Sequence, residues 1–246
     1  VFMLGGWQPA APEPGMQFLD DIWRLSLRDM SWTQLEPTGD VKMPKVSRHQ
    51  AVAVGNTIYI HHHRCSDHLL VLDLSTPEQP VLKQVPVTGD VPASRGLHSL
   101  THLPEANKLC LYGGAPQSGP MMGDMHELDL GTMIWSTCSP SGKQPHARCS
   151  HTAVALPGNR VLFNGGAHYK DEVAGGGGLQ VLDDVFIYNS STCAWEWPIV
   201  TGAKPSARNA AVMAHVGPAV LLHGGWVPFQ TTMNDSFLFN VASPIL

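Results

Sequence analysis

The fold is decided by residues 95–145, which read RGLHSLTHLPEANKLCLYGGAPQSGPMMGDMHELDLGTMIWSTCSPSGKQP. An arginine, with a histidine three residues later, opens a first apolar run. A second apolar run closes in a glycine pair, and an aspartate then precedes a tryptophan by 11 residues. The residues that mark this order are Arg95, His98, Gly113, Gly114, Asp124, Trp135, Gly142 and Pro145. Other segments restate the order in whole or in part, so the stretch is one unit of an internal repeat.

The glycine pairs give the period of the repeat. Each pair follows four mostly apolar residues, and a fifth copy of the apolar run ends in His62-His63 instead. The first residues of these five pairs are separated by 57, 51, 52 and 59 positions: Gly5, His62, Gly113, Gly165 and Gly224. A period near 50 is typical of propeller blades with four strands each.

A second set of spacings supports the same unit. The 11-residue interval from aspartate to tryptophan recurs at Asp21–Trp32 and Asp184–Trp195, and a glycine follows each tryptophan by seven residues. Six residues after Gly89, Gly142 and Gly202 comes an arginine, whereas Gly39 reaches Arg48 only after nine. The inter-unit arginines are Arg48, Arg95, Arg148 and Arg208.

Each unit therefore predicts four short strands, and the fold class is all-β. The second strands are continuous apolar runs, which indicates burial on both faces as in stacked sheets. Counting strands predicts three complete four-stranded blades flanked by two partial ones, as expected for part of a larger propeller. The predicted boundaries are 1–47 (partial), 48–94, 95–147, 148–207 and 208–246 (partial).

These residues resemble the kelch-repeat β-propeller family. The resemblance covers essentially the whole chain through the glycine pairs and through Trp32, Trp135 and Trp195. The linkers between units are similar to those of intracellular Rab9-effector-like and multidomain kelch proteins. The second unit departs most, since it has His62-His63 for the glycines, His68 for the aspartate and Leu82 for the tryptophan.

Composition limits the classes of partner and the cellular location that the sequence predicts. A net charge of −5 leaves no basic surface of the kind nucleic acids require. No apolar run reaches 18 residues, so no membrane insertion is expected. The five cysteines form no CxxC pair, which favours a reducing compartment and a cytoplasmic location.

The inter-unit arginines Arg48, Arg95, Arg148 and Arg208 allow two interpretations. They could form a ring of cationic side chains at one mouth of the propeller and bind acidic groups of a partner. Alternatively, each could be paired within its own blade. Because the arginine repeats in every unit, the structural interpretation is favoured.

Residues 61–68, HHHRCSDH, form the one metal-like constellation in the sequence. Imidazole, thiolate and carboxylate are ligands for zinc or copper. Adjacent residues of a strand face opposite ways, however, so the histidines cannot all converge, and the spacing matches no closed zinc site. The sequence therefore predicts no metal or cofactor and assigns His61, His62, His63 and Arg64 to a polar contact at the rim, with metal binding left open.

Loops that distinguish one unit from another are further candidates for partner binding. Trp7 and Trp226 directly follow glycine pairs. Two long insertions link strands two and three, at 8–19 and 167–182, and therefore emerge at the same end of the ring. The second insertion contributes Tyr169, Lys170, Asp171 and Glu172.

The predicted function is a non-catalytic interaction module or scaffold that presents these loops to a protein or peptide. One alternative is the recognition domain of a larger enzyme or assembly, carrying a phosphatase, methyltransferase or ubiquitin-ligase-adaptor domain. A metal-dependent enzyme on the kelch fold is a further alternative, but the sequence shows no copper or iron ligand set like those of enzymes that share the fold. No catalytic triad or carboxylate pair can be argued from spacing.

Overall fold

The structure is a computed structural model that describes residues 1–10, 15–170 and 178–241. Within these ranges every regular element is a β-strand, and the strands form a kelch-type β-propeller arrangement of five blades. No helix of this part of the chain is long and apolar enough to cross a membrane. Asp171 and Glu172, two of the predicted contact residues, lie outside the described residues.

Among the described residues, three blades have four strands and two have three, as the repeat predicts. The first blade holds β1 (Phe2–Pro9), β2 (Met16–Leu25) and β3 (Trp32–Leu35). The second holds β4 (Gln50–Val54), β5 (Thr57–His61), β6 (His68–Asp73) and β7 (Val81–Pro86), followed by the short β8 (Thr88–Gly89). The third holds β9 (Ser99–Leu103), β10 (Lys108–Gly114), β11 (Met122–Asp129) and β12 (Ile134–Cys138).

The remaining two blades carry short extra hairpins between their second and third strands. The fourth blade holds β13 (Thr152–Leu156), β14 (Arg160–Asn164), β17 (Val185–Asn189) and β18 (Ala194–Glu196), with the hairpin of β15 (Ala167–Tyr169) and β16 (Leu179–Val181). The fifth holds β19 (Val212–Val216), β20 (Ala219–His223) and β23 (Ser236–Asn240), with the hairpin of β21 (Trp226–Val227) and β22 (Thr231–Thr232). Neighbouring strands within each blade are antiparallel.

The core lies between blades, where the faces of adjacent sheets pack on each other. Trp135 at the start of the fourth strand is 1% exposed and packs with Leu69 and Val71 of the preceding blade. Trp195 packs in the same way on the third blade, against Leu103 and Tyr112. Burial of apolar side chains on both faces explains why the second strands read as continuous apolar runs.

The innermost strands β4, β9, β13 and β19 lie side by side. A chain of backbone hydrogen bonds joins the residues that precede them: the Leu97 amide donates to Arg48, the Ser150 amide to Leu97, and the Ala210 amide to Ser150. All four residues have positive φ, between 50° and 60°. The left-handed conformation is strained for residues other than glycine. Its recurrence at four equivalent positions, all in the same chain of hydrogen bonds, indicates that the bonds between blades hold the backbone in this conformation.

The linkers between blades fasten the outer edges. Each of the first three linkers leaves one blade and makes a parallel bridge to the outermost strand of the next, at Thr38–Val81, Thr88–Ile134 and Ser141–Ala194. The bridge explains the glycine at this point of each of these linkers. A Cβ on Gly39 would clash with the Leu82 carbonyl oxygen, and one on Gly89 with the Trp135 carbonyl oxygen.

A substitution of Gly89 by alanine should therefore be more destabilising than its backbone conformation alone explains. Gly89 has φ +81°, and Gly202 has φ +82° with no atom within 4 Å of the Cβ position. Gly202→Ala should cost only the strain, about 1–3 kcal/mol. Gly89→Ala should cost about 1–3 kcal/mol more because the backbone must move. Urea denaturation of both variants measures the difference, and equal costs would contradict the bridge.

Candidate binding site

Three inter-unit arginines are held inside their blades by an identical set of bonds, here called the arginine–aspartate bracket. Arg148 donates from both terminal nitrogens to Asp184, at 2.6 and 2.8 Å, and also to the Gly165 carbonyl at 2.9 Å. Its Nε donates to the His146 carbonyl at 3.0 Å. Arg95 and Arg208 repeat this arrangement with Asp124 and Asp235.

The bracket ties the end of the second strand to the start of the third. The carbonyl of the first glycine of each pair and the aspartate accept from one guanidinium, so both segments are fixed by one buried cation. Burial raises the pKa of Asp124, but hydrogen bonds from Arg95 and His126 outweigh it and hold that pKa well below its usual range. The hydrogen bond from Arg208 lowers the pKa of Asp235.

These contacts bear on the two interpretations of the repeated arginines, and the candidate role in partner binding has to be corrected for three of the four. The side chains of Arg95, Arg148 and Arg208 are 0–1% exposed, and their donors are already bonded within the blade. The structural interpretation of these three residues is the one that the geometry supports. They are not available to grip an acidic group of a partner.

Arg48 differs from the other three because it is out of register. The Gly114 amide donates to the carbonyl of Arg148, and in the same way the Gly6 amide donates to the carbonyl of Val46. Val46, and not Arg48, is therefore the residue equivalent to Arg148. The second blade therefore has Val46 and His68 where the third, fourth and fifth blades have an arginine and an aspartate. A sequence signal existed, since His49 follows Val46 by three residues as His98 follows Arg95. Arg48 is exposed.

The displaced Arg48 lines a cavity of about 330 Å³ at the end of the propeller from which the loops between strands two and three emerge. Its walls come from the linkers before β4 and β9, from the loops after β5 and β10, and from Phe18 at the start of β2. Lys45, which the sequence reasoning missed, stands beside Arg48 on one wall, and Arg64 stands on another. We call this the cationic cavity.

The cationic cavity has an uncompensated positive charge. Lys45, Arg48 and Arg64 are exposed, and none of them is in an ion pair with a residue in the part of the chain that the structure describes. No aspartate or glutamate is among its lining residues within that part. His63 also lines the cavity, next to Arg64. Burial and the nearby Arg64 guanidinium lower the pKa of His63.

The histidine run divides between the core and the surface after His62, because the strand β5 ends at His61 and the chain then turns outward. His61 and His62 are 1% and 3% exposed, whereas His63 and Arg64 are exposed. His61 Nδ1 lies 3.0 Å from His98 Nε2. Burial and then the Arg95 charge lower the pKa of His61 to about 3. The expectation of a rim contact therefore has to be corrected for His61 and His62, which are interior residues.

The predicted aromatic contacts lie on exposed hairpins of this same end. Trp7 in β1 is 56% exposed and pairs across the hairpin with Phe18, which lines the cationic cavity. Trp226 in β21 is 42% exposed, and nearby Phe229 is fully exposed. Tyr169 lines a different cavity of about 570 Å³, together with His146 and Pro120. The structure thus separates Tyr169 and the exposed Lys170 from the cationic cavity.

Comparison with known proteins agrees with this architecture. The sequence profile of the KLHDC2/KLHL20/DRC7 Kelch-repeats domain matches residues 61–244. The solved structure of YjhT superposes with a TM-score of 0.73 over 99% of this chain and 79% of that chain, at 15% identity, which is a likeness of fold.

Curated relatives are similar over part of their own length. Acyl-CoA-binding domain-containing protein 4 of Arabidopsis thaliana is 24% identical over 85% of this chain and 31% of the relative. Rab9 effector protein with kelch motifs of Mus musculus is 31% identical over 48% of this chain and 30% of the relative. The chain thus spans about a third of the length of these relatives. Because the family profile covers most of the repeats, the chain belongs to the KLHDC2/KLHL20/DRC7 Kelch-repeat family.

Proposed function

We propose that this propeller is a non-catalytic interaction module that binds a protein or peptide, with an acidic group of the partner in the cationic cavity. The observation that carries the proposal is three exposed cations around one concave site, with no aspartate or glutamate among the described residues that line it. Charged residues focused in a cleft attract a partner of opposite sign and set its orientation. This assigns the acid-binding role to Lys45, Arg48 and Arg64 rather than to the bracket arginines.

The surroundings of the cationic cavity supply the apolar part of an interface. Phe18 is 42% exposed on its wall, and its hairpin partner Trp7 is more exposed still. Exposed aromatic and arginine side chains are the residue types that dominate binding energy at interfaces. A peptide that places a carboxylate against Arg48 and Arg64 and an apolar side chain against Phe18 satisfies both features.

The chain is also proposed to act as the recognition part of a longer protein. In the relatives above, the matched region is about a third of the whole, so further segments accompany it there. Acyl-CoA binding and Rab9 belong to the names of those relatives and are not transferred to this chain. The activity that any accompanying domain supplies is separate from binding by the propeller.

Charge reversal tests the proposed site. Synthetic peptides of equal length that carry glutamate, neutral or lysine residues in one common background are titrated into the protein. We expect glutamate peptides to bind best, and Arg48→Glu with Arg64→Glu to weaken them at least about tenfold, which is about 1.4 kcal/mol. The control is Arg28→Glu, an exposed arginine in the turn between β2 and β3.

The affinity should also fall as salt rises, because the contact is between exposed charges. The melting temperature of the doubly reversed protein should stay close to that of the wild type, since neither arginine side chain forms an ion pair with a described residue and the backbone bonds of both residues remain. Peptides that bind the reversed protein as well as the wild type would contradict the assignment of the site.

A further inference from the structure

The second blade lacks the arginine–aspartate bracket and has a histidine–cysteine cluster in its place. One nitrogen each of His62 and His68 and the Sγ of Cys65 lie within 4.8 Å of one another. His62 occupies the position of Gly113, the glycine whose carbonyl accepts from Arg95, and His68 occupies the position of Asp124. The cluster therefore joins the same two segments that the bracket joins in the third, fourth and fifth blades.

We infer that His62, Cys65 and His68 bind a divalent zinc-class metal ion that takes the place of the missing bracket. Two imidazoles and a thiolate are the donor set that tetrahedral Zn²⁺ prefers, and three protein ligands leave a fourth position for water or a partner's ligand. His68 is the exposed side of the cluster, since its side chain is 20% exposed while His62 and Cys65 are 3% exposed.

Two further observations point to a ligand. His62 Nε2 is buried and has no hydrogen-bond partner among the described residues, which is costly for a polar atom unless something else binds it. Asp67 Oδ1 accepts from His68 Nδ1 at 2.6 Å, which keeps the lone pair on His68 Nε2. The Gln84 side-chain amide lies 3.3 Å from that nitrogen and is the donor that a metal ion would displace. A carboxylate behind a histidine is the usual way in which a protein orients that ring toward a metal.

The thiol is placed to serve as the third ligand. The turn that follows β5 is closed by the Cys65 amide bonding to the His62 carbonyl at 2.9 Å. The His62 amide donates to Cys65 Sγ at 3.4 Å, and such a bond stabilises a metal-bound thiolate. Binding releases the Cys65 proton, which otherwise donates to the Ile60 carbonyl, and displaces the Gln84 side-chain amide. It also moves the His62 proton from Nε2 to Nδ1, so His62 no longer accepts from the Arg64 amide.

The spacing of the ligands explains why the sequence did not predict the site. Adjacent histidines of a strand do diverge, and His61 indeed faces His98. The turn after His62 then brings Cys65 close to the His62 side chain, and His68, the first residue of β6, lies next to both. The pattern His-x2-Cys-x2-His has no counterpart in the structural zinc sites recognised by spacing.

Cobalt(II) titration of the protein tests the inference. We expect one equivalent of Co²⁺ to give a thiolate-to-metal charge-transfer band and visible bands of tetrahedral intensity, with Zn²⁺ displacing it and raising the melting temperature. Cys65→Ser and His68→Asn should abolish the charge-transfer band and the tetrahedral spectrum, respectively. The controls Cys149→Ser and His63→Gln should leave both unchanged.

A milder variant keeps the test valid if the ligand variants fold poorly. Asp67 is exposed, so Asp67→Asn should fold normally but bind the metal about 10–100-fold more weakly, because His68 loses its orienting carboxylate. Absence of a charge-transfer band at one equivalent, or an unchanged band in Cys65→Ser, would overturn the metal site. Neither outcome affects the cationic cavity, whose test uses peptides without metal.

Discussion

Replacing Asp184 by alanine is expected to lower the free energy of unfolding by about 3 kcal/mol, the lower end of the cost of leaving a buried charge unpaired. Arg148 is fully buried, and Asp184 accepts from both of its terminal nitrogens. The Asp184 side chain is 23% exposed, so water can partly replace the carboxylate. The matched control is Asp183→Ala. Asp183 pairs with Lys204 at 2.9 Å while both side chains are half exposed, and its loss should cost at most about 1 kcal/mol.

The second blade shows how the cost of an unpaired buried arginine can be avoided. It has Val46 and His68 in place of the arginine and the aspartate, so neither buried charge is present. Arg148→Met combined with Asp184→Leu should therefore be less destabilising than Asp184→Ala alone. Urea denaturation of the wild type, Asp184→Ala, Asp183→Ala and the double variant measures these differences in the free energy of unfolding. A loss for Asp184→Ala no larger than for Asp183→Ala would contradict the bracket.

Replacing Trp135 by alanine is expected to cost about 3–5 kcal/mol, because a fully buried aromatic side chain would leave a cavity. Trp135 is 1% exposed between the second and third blades, in contact with Leu69 and Val87. Trp32 stands at the same position of the repeat but is 49% exposed. Trp32→Ala should therefore cost much less, about 1 kcal/mol.

The comparison of the two tryptophans separates position in the repeat from burial. If the repeat position alone decided stability, both substitutions would cost the same. Denaturation followed by tryptophan fluorescence and by circular dichroism gives both values in one experiment. Equal costs would contradict the packing of each fourth strand on the preceding blade.

The sequence predicted most of the fold because each interval in the repeat corresponds to the length of a strand or a turn. The interval from Asp124 to Trp135 spans the third strand and the turn to the fourth, and the glycine pair marks the end of the second strand. What the intervals did not reveal is a register change between units. The longer linker before Arg48 placed Val46 in the bracket position, and only His49 marked the correct alignment.

The site was predicted less well because contacts between loops are not encoded in spacing. The strand alternation correctly separated His61 from its neighbours, but it did not show that Cys65 and His68 return to His62. In the same way, Lys45 and Phe18 belong to the cationic cavity only because linkers and hairpins from three blades meet there. Insertions attract attention in a sequence, whereas this cavity is built largely from short connections.

Amide hydrogen exchange of the protein, with and without the best-binding acidic peptide, shows directly whether the peptide occupies the cationic cavity. Binding at the cationic cavity predicts slower exchange at residues 45–48, 63–64 and 115–117, which form three of its walls. The hairpin of β15 and β16, which lines a different cavity, should exchange as before. Protection confined to that hairpin, or no protection at the three walls in the presence of saturating peptide, would contradict the account.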